Sequence, residues 1–109
     1  MTPEEHAQAI RDLAAGYGEA KAQRVFLDEF KKSKKAMLMK TAMEKGCKSA
    51  AAAEIEAYAD VEYIEFLKGL RVAVEKAEAL RWGLVSAQAR VEVWRSMEAS
   101  NRVMDKAVS

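Results

Sequence analysis

Residues 61–94, VEYIEFLKGLRVAVEKAEALRWGLVSAQARVEVW, decide the fold. Alternating steps of three and four from Tyr63 land on Phe66, Leu70, Ala73, Ala77, Leu80, Leu84, Ala87, Val91 and Trp94, an unbroken apolar row at heptad spacing. Such a row belongs to a helix that lays one continuous face against another helix. Leu67 and Val74 widen the row at its start, whereas Arg81, Gln88 and Arg95 occupy the same flank later, so the apolar face narrows toward the C-terminus. No proline interrupts Val61 to Met104, and only Gly69 and Gly83 weaken it. One helix over about 61–104 is predicted, near 66 Å long at about 1.5 Å per residue.

A second stripe, Val72, Ala79, Trp82, Val85, Ala89 and Val93, lies on the other side of this helix. A helix apolar on two faces is buried on two faces. The rest of the chain holds only one other long helical segment, so the second stripe predicts a homo-oligomer, as a four-helix bundle or larger helical assembly, with these six residues as its interface. Gly69 and Gly83 share a flank of the helix and could let a neighbouring backbone come close.

The partner arm starts at Thr2-Pro3-Glu4-Glu5, where Thr2 and Glu5 have the spacing of a capping box and Pro3 occupies the first turn. Gly16-Tyr17-Gly18 is a kink or a break, since two glycines cost roughly 1 kcal/mol each inside a helix. From Glu19 to Lys45 nothing opposes helix, and Gly46 is a natural left-handed stop. Its apolar row, Ile10, Leu13, Tyr17, Ala20, Leu27, Phe30, Met37 or Leu38, and Ala42, is looser than its partner's. Met37, Met39 and Met43 are read as packing beside Leu38, with an adaptable binding surface as the alternative. Between the arms, Ser49 opens an alanine-rich stretch that favours helix but buries little, and Asp60 is a fresh N-cap. The fold class is therefore all-α, an antiparallel hairpin of two long helices, about 3–45 and 61–104, with a short helical turn region and a single domain over 1–109.

Composition agrees: half of the 109 residues are apolar, about a third are charged, and there is one proline. The net charge of +1 supplies no global attraction to nucleic acid or membrane. The first thirty residues carry six carboxylates and no apolar h-region, and no run approaches transmembrane length, so no signal peptide and no membrane contact are expected. A single thiol, Cys47, excludes an internal disulfide and fits a reducing cytoplasm.

The stock for chemistry is thin. His6 is the only histidine, Cys47 is far from it along the chain, and no Glu-x-x-His pair or phosphate-cradling glycine loop occurs. No catalytic residue, metal site or cofactor is expected. The notable polar feature is a block of Lys31, Lys32, Lys34, Lys35, Lys40, Lys45 and Lys48, followed by Glu54, Glu56, Asp60, Glu62 and Glu65. The two blocks either meet across the hairpin and fix its register, or Lys31, Lys32, Lys34 and Lys35, extended by Arg81, Arg90, Arg95 and Arg102, contact phosphates. Aromatic platforms are not interleaved with the lysines.

Tyr58-Ala-Asp60-Val-Glu-Tyr63-Ile, Glu78-Ala-Leu80-Arg-Trp82 and Ala89-Arg90-Val-Glu92-Val-Trp94-Arg95 resemble segments of small helical proteins of tailed phages and prophages, over about residues 17–104. Genes of this kind often sit in recombination and replication clusters. The resemblance implies a bacterial cytoplasm and an accessory role, and it carries no catalytic residues onto this chain. The expectation is a non-enzymatic, self-associating interaction protein with a partner of phage or host origin. The alternatives are an accessory nucleic-acid-binding protein and an inhibitor of a host protein.

Overall fold

The computed structural model describes residues 1–108, which form three helices: α1 (Pro3–Glu44), α2 (Ala50–Ala59) and α3 (Val61–Val108). Among the described residues there is no strand. Each helix end is fixed by local chemistry. The Thr2 hydroxyl accepts from the Glu5 amide at 3.1 Å while the Thr2 amide donates to the Glu5 carboxylate at 3.1 Å, which closes the capping box. At the other end of α1, Gly46 takes φ +116°. Its amide donates to the Met43 carbonyl and the Cys47 amide to the Ala42 carbonyl, both at 3.1 Å. This crossed pair satisfies carbonyls that the last turn would otherwise leave open.

Ser49 Oγ accepts from the Ala52 amide at 3.1 Å and caps α2. Asp60 alone separates α2 from α3; its ψ of 135° ends one helix, and its carboxylate accepts from the Glu62 amide at 2.7 Å to start the next. One alternative left open by the sequence is decided, and one boundary differs. Helix α1 runs unbroken through Gly16-Tyr17-Gly18, so no break occurs there, and α3 continues past Met104 to Val108. A Cβ placed on Gly16 would meet Leu80 at 3.7 Å, so the glycine lies beneath a neighbouring leucine.

The chain forms two compact units, Glu19–Ala77 and the pair Met1–Gly18 with the segment from Glu78 onward. In the first of these, α1 residues 19–44 run antiparallel to the start of α3: Phe30 faces Phe66, with ring centroids 5.9 Å apart, and Lys34 meets Glu62. Leu38, Ala57 and Tyr63 form its core, with Met39 packed against them. The alanine-rich α2 contributes more than expected, because Ala53 and Ala57 are 0 % and 1 % exposed. Small side chains are what allow a third helix to press this closely onto the other two. Tyr58 meets Tyr63 edge-on at 5.4 Å. In the other unit α1 and α3 are again antiparallel: Leu13 faces Gly83, Gly16 faces Leu80, and Pro3 and Ile10 lie beside Val91 and Trp94.

Gly46→Ala is expected to cost about 1–2 kcal/mol, since a side chain at a left-handed position is strained. Gly18→Ala, exposed inside α1 with open space at its Cβ position, is expected to gain up to about 1 kcal/mol. Thermal unfolding of the two variants followed by circular dichroism checks the opposite signs.

Candidate interaction surface

The heptad row of α3 is the packed face. Tyr63 and Ala77 are buried, Phe66, Leu70, Ala73, Leu80, Leu84, Ala87 and Val91 are half-buried, and only Trp94 at the end of the row opens to solvent. On α1 the matching row is Ala20, Arg24, Leu27, Lys31, Lys34 and Leu38, all buried or half-buried. Between Met37 and Leu38 the structure chooses Leu38, with Met37 left 57 % exposed and Met43 also exposed. Three of six positions in this row are cationic, and their aliphatic stems cover the seam while the charged ends reach water.

The six residues of the second stripe, Val72, Ala79, Trp82, Val85, Ala89 and Val93, are all exposed. Trp82 is 58 % and Val93 60 % exposed. The Arg81 guanidinium lies over the Trp82 ring, 5.1 Å from its centroid, and 3.5 Å from Glu78. At 100° per residue the face opposite the seam continues beyond Val93 through Ser96, Met97, Ser100, Val103 and Met104 to Ala107. No charged residue interrupts it from Ala79 to Ala107, and every position on it is exposed. A solvated outer face normally collects a helix's charge, yet here Arg90, Glu92, Arg95, Glu98 and Arg102 all lie off this strip. The sequence reading ended the stripe at Val93, because the serines beyond it do not register as apolar.

The candidate phosphate contacts fall in both units, Lys31, Lys32, Lys34 and Lys35 in one and Arg81, Arg90 and Arg95 in the other. Lys34 Nζ reaches Glu62 at 3.1 Å and Lys35 Nζ reaches Glu54 at 3.4 Å, so these two lysines join α1 to α3 and α2. Lys35 also sits 4.7 Å from the Tyr58 ring centroid. Hydrogen bonding with Tyr58, then the Glu54 carboxylate, holds its ammonium above the ordinary lysine value against partial desolvation. Because that pKa is raised, whatever stability the contact adds is present at neutral pH and lost only as pH climbs through the folded-state value. Lys31 lies 3.9 Å from Asp28 and Arg95 lies 3.0 Å from Glu92. Lys32 and Arg90 are exposed and make no ion pair among the described residues.

His6 lines a shallow recess of about 160 Å³ with Ile10, Val91, Trp94 and Arg95. Cys47 is a half-buried free thiol. Among the described residues no group of three or more His, Cys, Asp or Glu could hold a metal ion, and no helix is long and apolar enough to cross a membrane. The fold defines an all-helical protein with an exposed, uncharged strip on α3. In comparison with known proteins, no family model, no curated protein and no solved structure matches the chain.

A double-mutant cycle on Lys34→Ala and Glu62→Ala is expected to give a coupling of about 0.2–1 kcal/mol that shrinks at high salt, because Glu62 is largely exposed. Urea unfolding at low and high salt measures it; zero coupling at low salt would show that the pair does not hold the register.

Proposed function

We propose that this chain is a non-enzymatic helical interaction protein that self-associates through the outer face of α3. The observation that carries the reading is the uncharged, exposed strip from Ala79 to Ala107 with Trp82 on it. Large exposed apolar patches on soluble proteins mark interaction sites. The proposed setting, a phage-encoded accessory or adaptor in a bacterial cytoplasm, rests on the resemblance of the segments around Tyr58, Trp82 and Trp94.

Light scattering is expected to give a mass that is a multiple of the chain's, and Trp82→Glu is expected to give the single-chain mass with helicity retained. Trp82 is more than half exposed in the isolated chain, so within the chain the substitution removes chiefly its contact with Arg81. A wild-type protein that runs as a monomer would sink the self-association reading.

A second reading, nucleic-acid contact, is supported by four exposed lysines of one unit, Lys32, Lys40, Lys45 and Lys48, which have no anionic partner among the described residues. Four phosphate contacts on duplex DNA predict a loss of affinity of about 150-fold when salt rises fourfold, from about 50 to about 200 mM. Fluorescence anisotropy of labelled duplex DNA tests this, and absence of binding at the lower salt removes the reading.

A further inference from the structure

We propose that Met39 is a peroxide-sensitive latch on α2: oxidation of its thioether to the sulfoxide loosens α2 from the pair that α1 and α3 form within the unit Glu19–Ala77. The proposal is independent of the self-association reading. Three observations carry it.

The first is position. Of the methionines on the later half of α1, Met37 and Met43 are exposed and Met39 is half-buried. Met39 packs against the cluster of Leu38, Ala57 and Tyr63, which come from α1, α2 and α3 respectively. It lies at the joint where the three helices meet.

The second is access. The same side chain lines a surface recess with Ala36, Lys40, Met43 and Glu44. Met39 is therefore in touch with the cluster and with solvent, and a small oxidant has a route to it in the folded chain. In the reaction the sulfur lone pair attacks one oxygen of hydrogen peroxide, the O–O bond breaks, and after proton transfer the products are sulfoxide and water. Sulfur loses the two electrons that the peroxide gains. Enzymes that reduce methionine sulfoxide return the thioether, so the step is reversible.

The third is leverage. Helix α2 is ten residues long, too short to persist in water on its own propensity. It is held by Ala53 and Ala57, which are buried, and by Lys35 through Glu54 and Tyr58. Alanines bring little apolar area, so α2 depends on close fit rather than on bulk. A sulfoxide adds a polar oxygen and extra volume at that joint, and both oppose packing against Leu38 and Ala57. Neither change matters at Met37 or Met43, whose side chains are already largely in water.

Hydrogen peroxide treatment of the full-length chain tests the latch, in a Cys47→Ser background that removes the thiol as a competing target. Peptide mass spectrometry follows the sulfoxide at each methionine, while amide hydrogen exchange and thermal unfolding follow α2. Met37 and Met43 are expected to oxidise first, with exchange over Ala50–Ala59 unchanged. Sulfoxide at Met39 is expected to speed that exchange by roughly tenfold and to lower the unfolding temperature by roughly 5 °C. Met39→Leu keeps a similar volume without the sulfur and is expected to hold both values through the same treatment. Met39 that stays reduced after Met37 and Met43 are fully converted, or Met39 sulfoxide with α2 exchange unchanged, overturns the proposal. An equal loss of α2 protection in the Met39→Leu chain overturns it too. The first two outcomes are read on the chain that keeps Met39, so they stand whether or not the leucine variant folds.

Discussion

Everything in this structure follows from one shortage: α3 has two apolar faces, and α1 and α2 lie against only one of them. The heptad row from Tyr63 to Val91 is covered by α1 and partly by α2. The opposite row is not. Burial of apolar surface is the dominant favourable term in folding, and among the described residues the buried set comprises four alanines, one leucine and one tyrosine. Among the described residues no large side chain is completely enclosed. A core of that size gives little margin once the entropy of ordering about a hundred residues is counted, so a surface completed by another chain is physically reasonable rather than an embellishment.

The stops and starts are handled separately from the core, by hydrogen bonds that need no partner. The reciprocal Thr2 and Glu5 bonds, the left-handed Gly46 with its crossed amide pair, Ser49 on the Ala52 amide and Asp60 on the Glu62 amide each satisfy groups that a helix end leaves open. Together they define where three helices begin and end while leaving the faces free to be read by packing. That division explains how the hairpin is specified without a large core.

It also explains what was legible in the sequence. Caps are local and depend on side-chain chemistry at fixed offsets, so Thr2, Gly46 and Asp60 could be read directly. The α3 seam was legible because its row holds no polar residue from Tyr63 to Trp94. The α1 row was harder because Arg24, Lys31 and Lys34 occupy half of it, and a count of apolar residues misses stems that pack while their charges stay wet. The contribution of α2 was underestimated for a related reason. Alanine adds little area, but at Ala53 and Ala57 its value is proximity, which only the third dimension displays. The continuation of α3 to Val108 was missed because nothing within the chain asks for it.

The same logic separates the two candidate surfaces. Lys34 and Lys35 are spent on Glu62, Glu54 and Tyr58 within the fold, and Arg81 and Arg95 are paired along α3. Cations already engaged lose those contacts on meeting a phosphate, which lowers the net gain. The strip from Ala79 to Ala107 has no such competitor: its side chains are apolar or small, uncharged and exposed, so water is their alternative partner. Covering it costs no ion pair and disturbs only the contact of Arg81 with the Trp82 ring, and for that reason association through α3 is the stronger of the two readings.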